Sequence, residues 1–214
     1  MINELRLQSL QLSYDTMTPV FAPVTEYIRR GEVVAVTGNN GAGKSTLLAG
    51  VCGLIQPFGG RVDVVRDGAE TASGFNRAHC GYASPAMSLY DELKAWEQVE
   101  FDAKVRDCSS LLPHAAESFG LFGLQARRDS FIGDFSTGMK QRLKLILATY
   151  FEPDLLLLDE PSSNLDDEGF EVMARHIRRA ADRGCIVLVA TNDERDRALC
   201  GREFRLTHDK KPTR

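Results

Sequence analysis

The sequence predicts an α/β fold, a mostly parallel sheet flanked by helices, and three apolar runs point there. Val33-Val34-Ala35-Val36 leads into a glycine-rich turn and a helical segment, Leu155–Leu158 ends in two carboxylates, and Cys185–Ala190 follows across an amphipathic stretch. Strands without polar alternation suit a parallel sheet buried on both faces, and strand–helix–strand crossovers join such strands.

In chain order, Leu5, Leu7, Leu10 and Leu12 mark a half-buried strand within Ile2–Tyr14, and Val20–Ile28 reads as a second strand interrupted by Pro23, giving an amino-terminal hairpin. Arg29–Glu32 turns into the Val33–Thr37 strand, and the helix after the glycine-rich loop runs to a C-cap near Gly53. Gln56–Gly60 carries turn chemistry, Arg61–Val65 reads as a strand, and Asp67–Asn76 reads as a loop. Tyr90–Val105 and Leu111–Phe119 then show helical periodicity with no strand between them, a helical insertion. Ser136 is placed to cap a helix containing Leu143–Tyr150. Asp166–Arg183, with Phe170, Val172, Met173, His176 and Ile177 on one face, is the crossover helix between the last two apolar runs. Arg202–Leu206 adds a final strand.

Composition narrows the function. With 214 residues, 43 % of them apolar, the chain can bury the core of a single domain. A net charge of −4 argues against a broad nucleic-acid face, so no nucleic-acid partner is expected. The basic tail Lys210–Arg214 reads as a solvated terminus. Cys52, Cys80, Cys108, Cys185 and Cys200 form no C-x-x-C pair and read as reduced, mostly buried thiols. The start MINELRLQSL lacks a signal-peptide core, and no apolar run approaches the about 20 residues of a membrane helix. A cytoplasmic, soluble chain is expected.

The chemistry concentrates in the loop Gly38-Asn39-Asn40-Gly41-Ala42-Gly43-Lys44-Ser45-Thr46. Backbone N–H groups can wrap a phosphate chain only where side chains do not intervene, which Gly38, Gly41 and Gly43 provide. The helix that follows presents its positive end, Lys44 can reach the β- and γ-phosphates, and the Ser45 hydroxyl can bind Mg²⁺. This is a Walker A pattern between a strand and a helix. Asp159 and Glu160 stand at the carboxyl end of a buried strand, where ligands of α/β sheets gather. Asp159 is assigned to Mg²⁺, and Glu160 to polarising the attacking water as general base.

Together these motifs resemble an ATP-binding subunit of an ABC transporter, nearest to the short bacterial drug, haem and polysaccharide exporter types. The likeness covers nearly the whole chain. Ser136-Thr137-Gly138-Met139-Lys140-Gln141-Arg142 is similar to the family's signature motif, and Ser162-Ser163-Asn164-Leu165-Asp166 to its D-loop.

The resemblance implies a P-loop NTPase fold of ABC type with an amino-terminal antiparallel β subdomain. About 1–88 and 152–208 would form the β and RecA-like core, and about 89–151 a helical subdomain ending in the signature helix. It also implies a head-to-tail dimer, homo- or heteromeric, in which ATP on Gly38–Thr46 of one subunit is closed over by Ser136 and Gly138 of the other, with Asp166 at the same interface and Tyr14 stacking on adenine. A transmembrane permease subunit would hold the chain at the cytoplasmic face of the membrane. Leu89–Leu93, with Trp96 beyond, resembles the border of the groove that receives the permease.

Two positions depart from the family. Pro85 stands where a glutamine contacts Mg²⁺ and water, and Asn192 stands where a histidine senses the γ-phosphate. Asn192 can donate to phosphate but cannot carry a proton. ATP binding is therefore expected more firmly than fast hydrolysis, and a nucleotide-gated module with slow turnover, or a soluble non-transport ATPase, are the alternatives.

Overall fold

A computed structural model of the chain describes residues 2–15, 17–66, 69–72 and 79–207. Its strands are β1 (Glu4–Leu12), β2 (Val24–Arg29), β3 (Val33–Thr37), β4 (Pro57–Arg66), β5 (Ala69–Ala72), β6 (Cys80–Ala83), β7 (Leu155–Asp159), β8 (Ile186–Ala190) and β9 (Arg202–Arg205). The helices are α1 (Lys44–Val51), α2 (Ala95–Val105), α3 (Leu112–Leu121), α4 (Thr137–Thr149), α5 (Asp167–Asp182) and α6 (Glu194–Arg197). Among the described residues they build an antiparallel sheet of order β2-β1-β4-β5 and a parallel sheet of order β6-β7-β8-β3-β9.

The central parallel strands β3, β7 and β8 are largely apolar because their alternate residues enter two different cores. Leu156, Leu158, Val187 and Val189 point to a core shared with α2–α5, whereas Leu155, Leu157, Ile186, Leu188, Val34 and Val36 join β1, β4 and α1 on the other face. Fully burying each such aliphatic side chain contributes about 1.5–3 kcal/mol. Helix α1 touches β1 of one sheet and β7 and β8 of the other. The phosphate loop is thereby anchored at the junction of the two sheets.

Several boundaries differ from the sequence pattern. Leu5, Leu7, Leu10 and Leu12 are all fully buried, although the step from Leu7 to Leu10 breaks the two-residue period of a strand. A bulge resolves this: the pairing of β1 shifts between Leu7 and Leu10, and Ser9 adopts φ 48°. The same irregularity absorbs the expected turn Gln56–Gly60 into β4, which begins at Pro57 and pairs Gly59 with Gln11. Pro57 is tolerated because it is the first residue of its strand.

The second strand starts after Pro23, at Val24 rather than Val20. Within the expected loop Asp67–Asn76, residues 69–72 pair with β4 as β5, while 67–68 and 73–76 lie outside the described residues, as does the tail from Lys210. Helix α2 begins at Ala95, not Tyr90. The Glu97 side chain accepts from Lys94 N (2.8 Å) and caps it there. The short helix α6 had no periodicity to announce it. Among the described residues no helix is long and apolar enough to cross a membrane.

Candidate active site

Strand β3 delivers the chain into the loop 38–43, and Gly43 caps α1 with φ 93°. A Cβ at Gly43 would sit 2.6 Å from Val20 Cγ1 and 2.8 Å from Phe21 Cδ1, so both backbone angle and space demand glycine there. Lys44 is 7 % exposed, and its Nζ donates to Gly38 O at 3.1 Å, which folds the ammonium back over its own loop. Beside it the Ser45 hydroxyl lies against the Asp159 carboxylate. Burial pushes the Asp159 carboxyl above the usual range, the Ser45 hydroxyl opposes this, the Glu160 charge adds to it and the Lys44 ammonium opposes it. The Tyr14 hydroxyl lies 3.0 Å from Thr46 Oγ1, with the tyrosine itself 77 % exposed at the edge of the loop. Tyr14 follows β1 rather than packing within it.

Glu160, the residue after β7, is exposed and has φ 46°, a left-handed angle that non-glycine residues rarely adopt. Its N–H donates to Ala190 O at the end of β8 (2.8 Å). Asn192 follows β8, and its Nδ2 donates to Asn40 Oδ1 at 3.0 Å. Asn39 is held from the other side, where Arg205 Nη2 donates to its Oδ1 (3.1 Å). Asn40, Glu160, Ser162, Ser163, Thr191 and Asn192 line one cavity of about 360 Å³. Gly38, Asn39, Asn40 and Asn192 border a second of about 560 Å³, together with Arg197, Glu203 and Arg205. The structure thus gathers the phosphate loop, the carboxylates and Asn192 at the carboxyl edge of the parallel sheet.

The signature residues stand apart from that cluster within one chain. Ser136 caps α4 by accepting from Met139 N (3.2 Å). A Cβ at Gly138 would meet Asn164 O at 2.8 Å, so the helix start packs directly on the D-loop backbone. Asp166 caps α5: its Oδ1 accepts from Gly169 N (2.9 Å) and from Arg142 Nη2 (2.6 Å). These bonds, the Gly169 N–H first, hold its carboxyl below the usual range. Asp166 lines neither cavity at the phosphate loop.

Lys144 was missed by sequence reasoning, although a lysine inside Leu143-Lys144-Leu145-Ile146-Leu147 was a signal. Its buried Nζ donates to Ser84 O and Pro85 O, both at 3.0 Å. One turn earlier Gln141 Nε2 donates to Pro161 O (2.9 Å). Helix α4 therefore grips the loop after β6 through Lys144 and the loop after β7 through Gln141. Burial, helped by Lys140, lowers the Lys144 ammonium from its ordinary value. Lys144→Met, similar in length, is expected to strip the Lys144 donor from both carbonyls, leaving Ser84 O with its bond from Met87 N (3.1 Å), and to lower stability by about 1–3 kcal/mol, read as a fall in the urea midpoint. An unchanged midpoint would contradict the clamp.

Leu89–Leu93 is not helical. Tyr90 is 54 % exposed and meets the exposed Phe101 edge-on, with ring centroids 6.1 Å apart. Trp96 instead packs against Phe119 at 5.7 Å, with Arg128 over its ring.

A protein-family model described as ABC transporter matches residues 21–163. Among curated relatives, the probable multidrug ABC transporter ATP-binding protein YbhF of Escherichia coli K12 is 32 % identical over 82 % of this chain. That match covers 31 % of YbhF, so the chain spans about a third of that relative's length. The lipoprotein-releasing system ATP-binding protein LolD of Chromohalobacter salexigens is 31 % identical, over 85 % of this chain and 82 % of LolD. Among solved structures, an ATP-binding subunit of an ABC transporter superposes with a TM-score of 0.85 at 29 % identity, over 94 % of this chain and 85 % of that one.

Proposed function

The chain belongs to the ABC transporter family, and we propose that it is the ATP-binding and hydrolysing subunit of a transporter, closing head-to-tail on a second such subunit around ATP. The observation that carries this reading is the meeting of Asn40, from the glycine-rich loop, with Glu160 and Asn192 around one cavity.

In this reading the amides of 38–43 and the positive end of α1 bind the phosphates. Lys44 exchanges its bond to Gly38 O for the β- and γ-phosphates, a charge-assisted pairing in place of a neutral acceptor. Tyr14, exposed beside Thr46, offers its ring to the adenine. Glu160 accepts a proton from the attacking water, and Asn192 donates an amide N–H toward the γ-phosphate.

The donor set fits Mg²⁺. Ser45 and Asp159 supply one hydroxyl and one carboxylate side by side, and Mg²⁺ is held by one or two such protein oxygens with phosphates and waters completing its shell. When bound, Mg²⁺ neutralises charge on the phosphate oxygens. Burial of Asp159 makes that carboxylate a stronger partner for a cation than for water.

Ser136 and Gly138 would close over the partner's ATP, with Asp166 at the same interface. Losing the γ-phosphate removes the bonds that hold the helix start there, so hydrolysis reopens the dimer. The exposed Tyr90 and Phe101 form the face offered to a permease on the cytoplasmic side of the membrane.

A slower, nucleotide-gated module is the second reading. It is favoured by Pro85, which brings no side-chain acceptor, and by Asn192, whose amide is already paired with Asn40. The test is phosphate release from ATP by the purified chain with Mg²⁺. Saturable turnover that Glu160→Gln removes supports the enzyme, and turnover equal in the two chains contradicts it. Co-purification of a polytopic membrane protein tests the partner.

A further inference from the structure

We propose that Asp196 is a positioning residue for Glu160, bracing the turn 160–165 against the end of β8. The inference rests on the hydrolytic role proposed for Glu160. Asp196 lies in α6, in a run of charges, Asp193-Glu194-Arg195-Asp196-Arg197, that reads as solvated surface, yet it is 0 % exposed. Its Oδ2 accepts from Ser162 Oγ (3.0 Å) and from Thr191 Oγ1 (2.9 Å). Ser162 is two residues past Glu160, and Thr191 directly precedes Asn192. A single carboxylate oxygen therefore joins the two loops that carry the assigned base and the assigned phosphate donor.

The brace has a specific object. Glu160 holds a left-handed backbone angle, φ 46°, and such angles persist only where their surroundings over-determine them. On its amino side Glu160 N donates to Ala190 O (2.8 Å). On its carboxyl side the turn is closed by Ser163 N donating to Glu160 O (3.1 Å) and Leu165 N to Ser162 O (3.0 Å). Asp196 closes the third side by tying Ser162 to Thr191, the residue after Ala190. Thr191 is itself fixed, its N–H donating to Val36 O (3.1 Å) in β3 and its hydroxyl accepting from Asp193 N (3.0 Å).

A bland buried acid would be expected to find a cation, because an unpaired carboxylate is expensive to bury. The second oxygen of Asp196 has no hydrogen-bond partner among the described residues. Burial raises its carboxyl above the usual range against the opposing bonds from Thr191 and Ser162, with Asp193 adding to the rise and Arg195 opposing it. An acid retained at that penalty, with both bonds directed at the loops around Glu160, is placed for geometry rather than for stability.

The test compares Asp196→Ala and Asp196→Asn in the purified chain, each with and without Glu160→Gln. Asp196→Ala is expected to lower kcat about 10-fold or more while KM for ATP changes less than about 2-fold, and to cause no further fall once Glu160 is glutamine. Asp196→Asn, whose amide oxygen can accept both hydroxyls, is expected to restore most of kcat. Hydrogen exchange in the nucleotide-free chain supplies a readout independent of turnover. In Asp196→Ala the amides of Ser163 and Leu165 should exchange about 10-fold faster while those of β3 and β7 stay unchanged.

Wild-type kcat in Asp196→Ala, an equal fall in both Glu160 backgrounds, or faster exchange throughout the parallel sheet would each overturn the proposal. Should Asp196→Ala fail to fold, Ser162→Ala removes the donor from the turn alone and is read the same way. If the unmodified chain shows no Glu160-dependent turnover, the hydrolytic reading fails, and the exchange result alone decides whether Asp196 braces the turn.

Discussion

Replacing Lys44 by alanine is expected to weaken ATP binding about 100-fold. The ammonium is buried at the mouth of the loop, and among the described residues its hydrogen bond goes to a neutral carbonyl, Gly38 O. Meeting a phosphate exchanges that bond for charge-assisted ones, and hydrogen bonds to charged groups contribute about 1.5–3 kcal/mol each. Losing about 3 kcal/mol is about a 100-fold rise in Kd. Alanine keeps the helix propensity of this first position of α1, so the chain should fold normally. Titration with a fluorescent ATP analogue measures the effect. An affinity within about 3-fold of the unmodified chain, well below that 3 kcal/mol, would show that the phosphates lie elsewhere.

Glu160→Gln should reduce hydrolysis by about 100- to 10,000-fold, the usual contribution of a positioned general base, while ATP affinity changes little. Glutamine has the same shape and can keep the same backbone turn, including the Glu160 N to Ala190 O bond. It cannot accept the proton. In the proposed reading binding depends on Lys44 and the loop amides, and chemistry on Glu160, so the two variants should separate affinity from turnover. Single-turnover phosphate release, together with nucleotide titration of the same preparation, reads both quantities.

Much of this arrangement is legible in the sequence because the residues concerned are governed by local chemistry. The phosphate loop needs glycines and a lysine at fixed spacing, and the strands that carry it are buried on both faces, so β3, β7 and β8 stand out as apolar runs. What the sequence hides is set by tertiary contacts. The bulge at Ser9 is demanded by leucines that must reach one core despite odd spacing. The start of β4 looks like a turn because Gly60 is required opposite that bulge, where φ is 70° and a Cβ would meet Gln8 O and Ser9 O at 2.2 Å. The partners of Lys144 and Asp196 are set by the fold, which turns the two side chains inward, onto Ser84 O and Pro85 O, and onto Ser162 and Thr191. The tie of Asn192 to Asn40 spans 152 residues of chain and is invisible without the structure.

The central claim is that Gly38–Thr46 is half of a site completed by Ser136 and Gly138 of a second subunit. The most direct measurement is the solution mass of the Glu160→Gln chain by sedimentation velocity, with Mg²⁺ and either ATP or ADP. A dimer with ATP and a monomer with ADP is the predicted result. A chain that remains monomeric at saturating ATP, or whose mass is the same with either nucleotide, would contradict it.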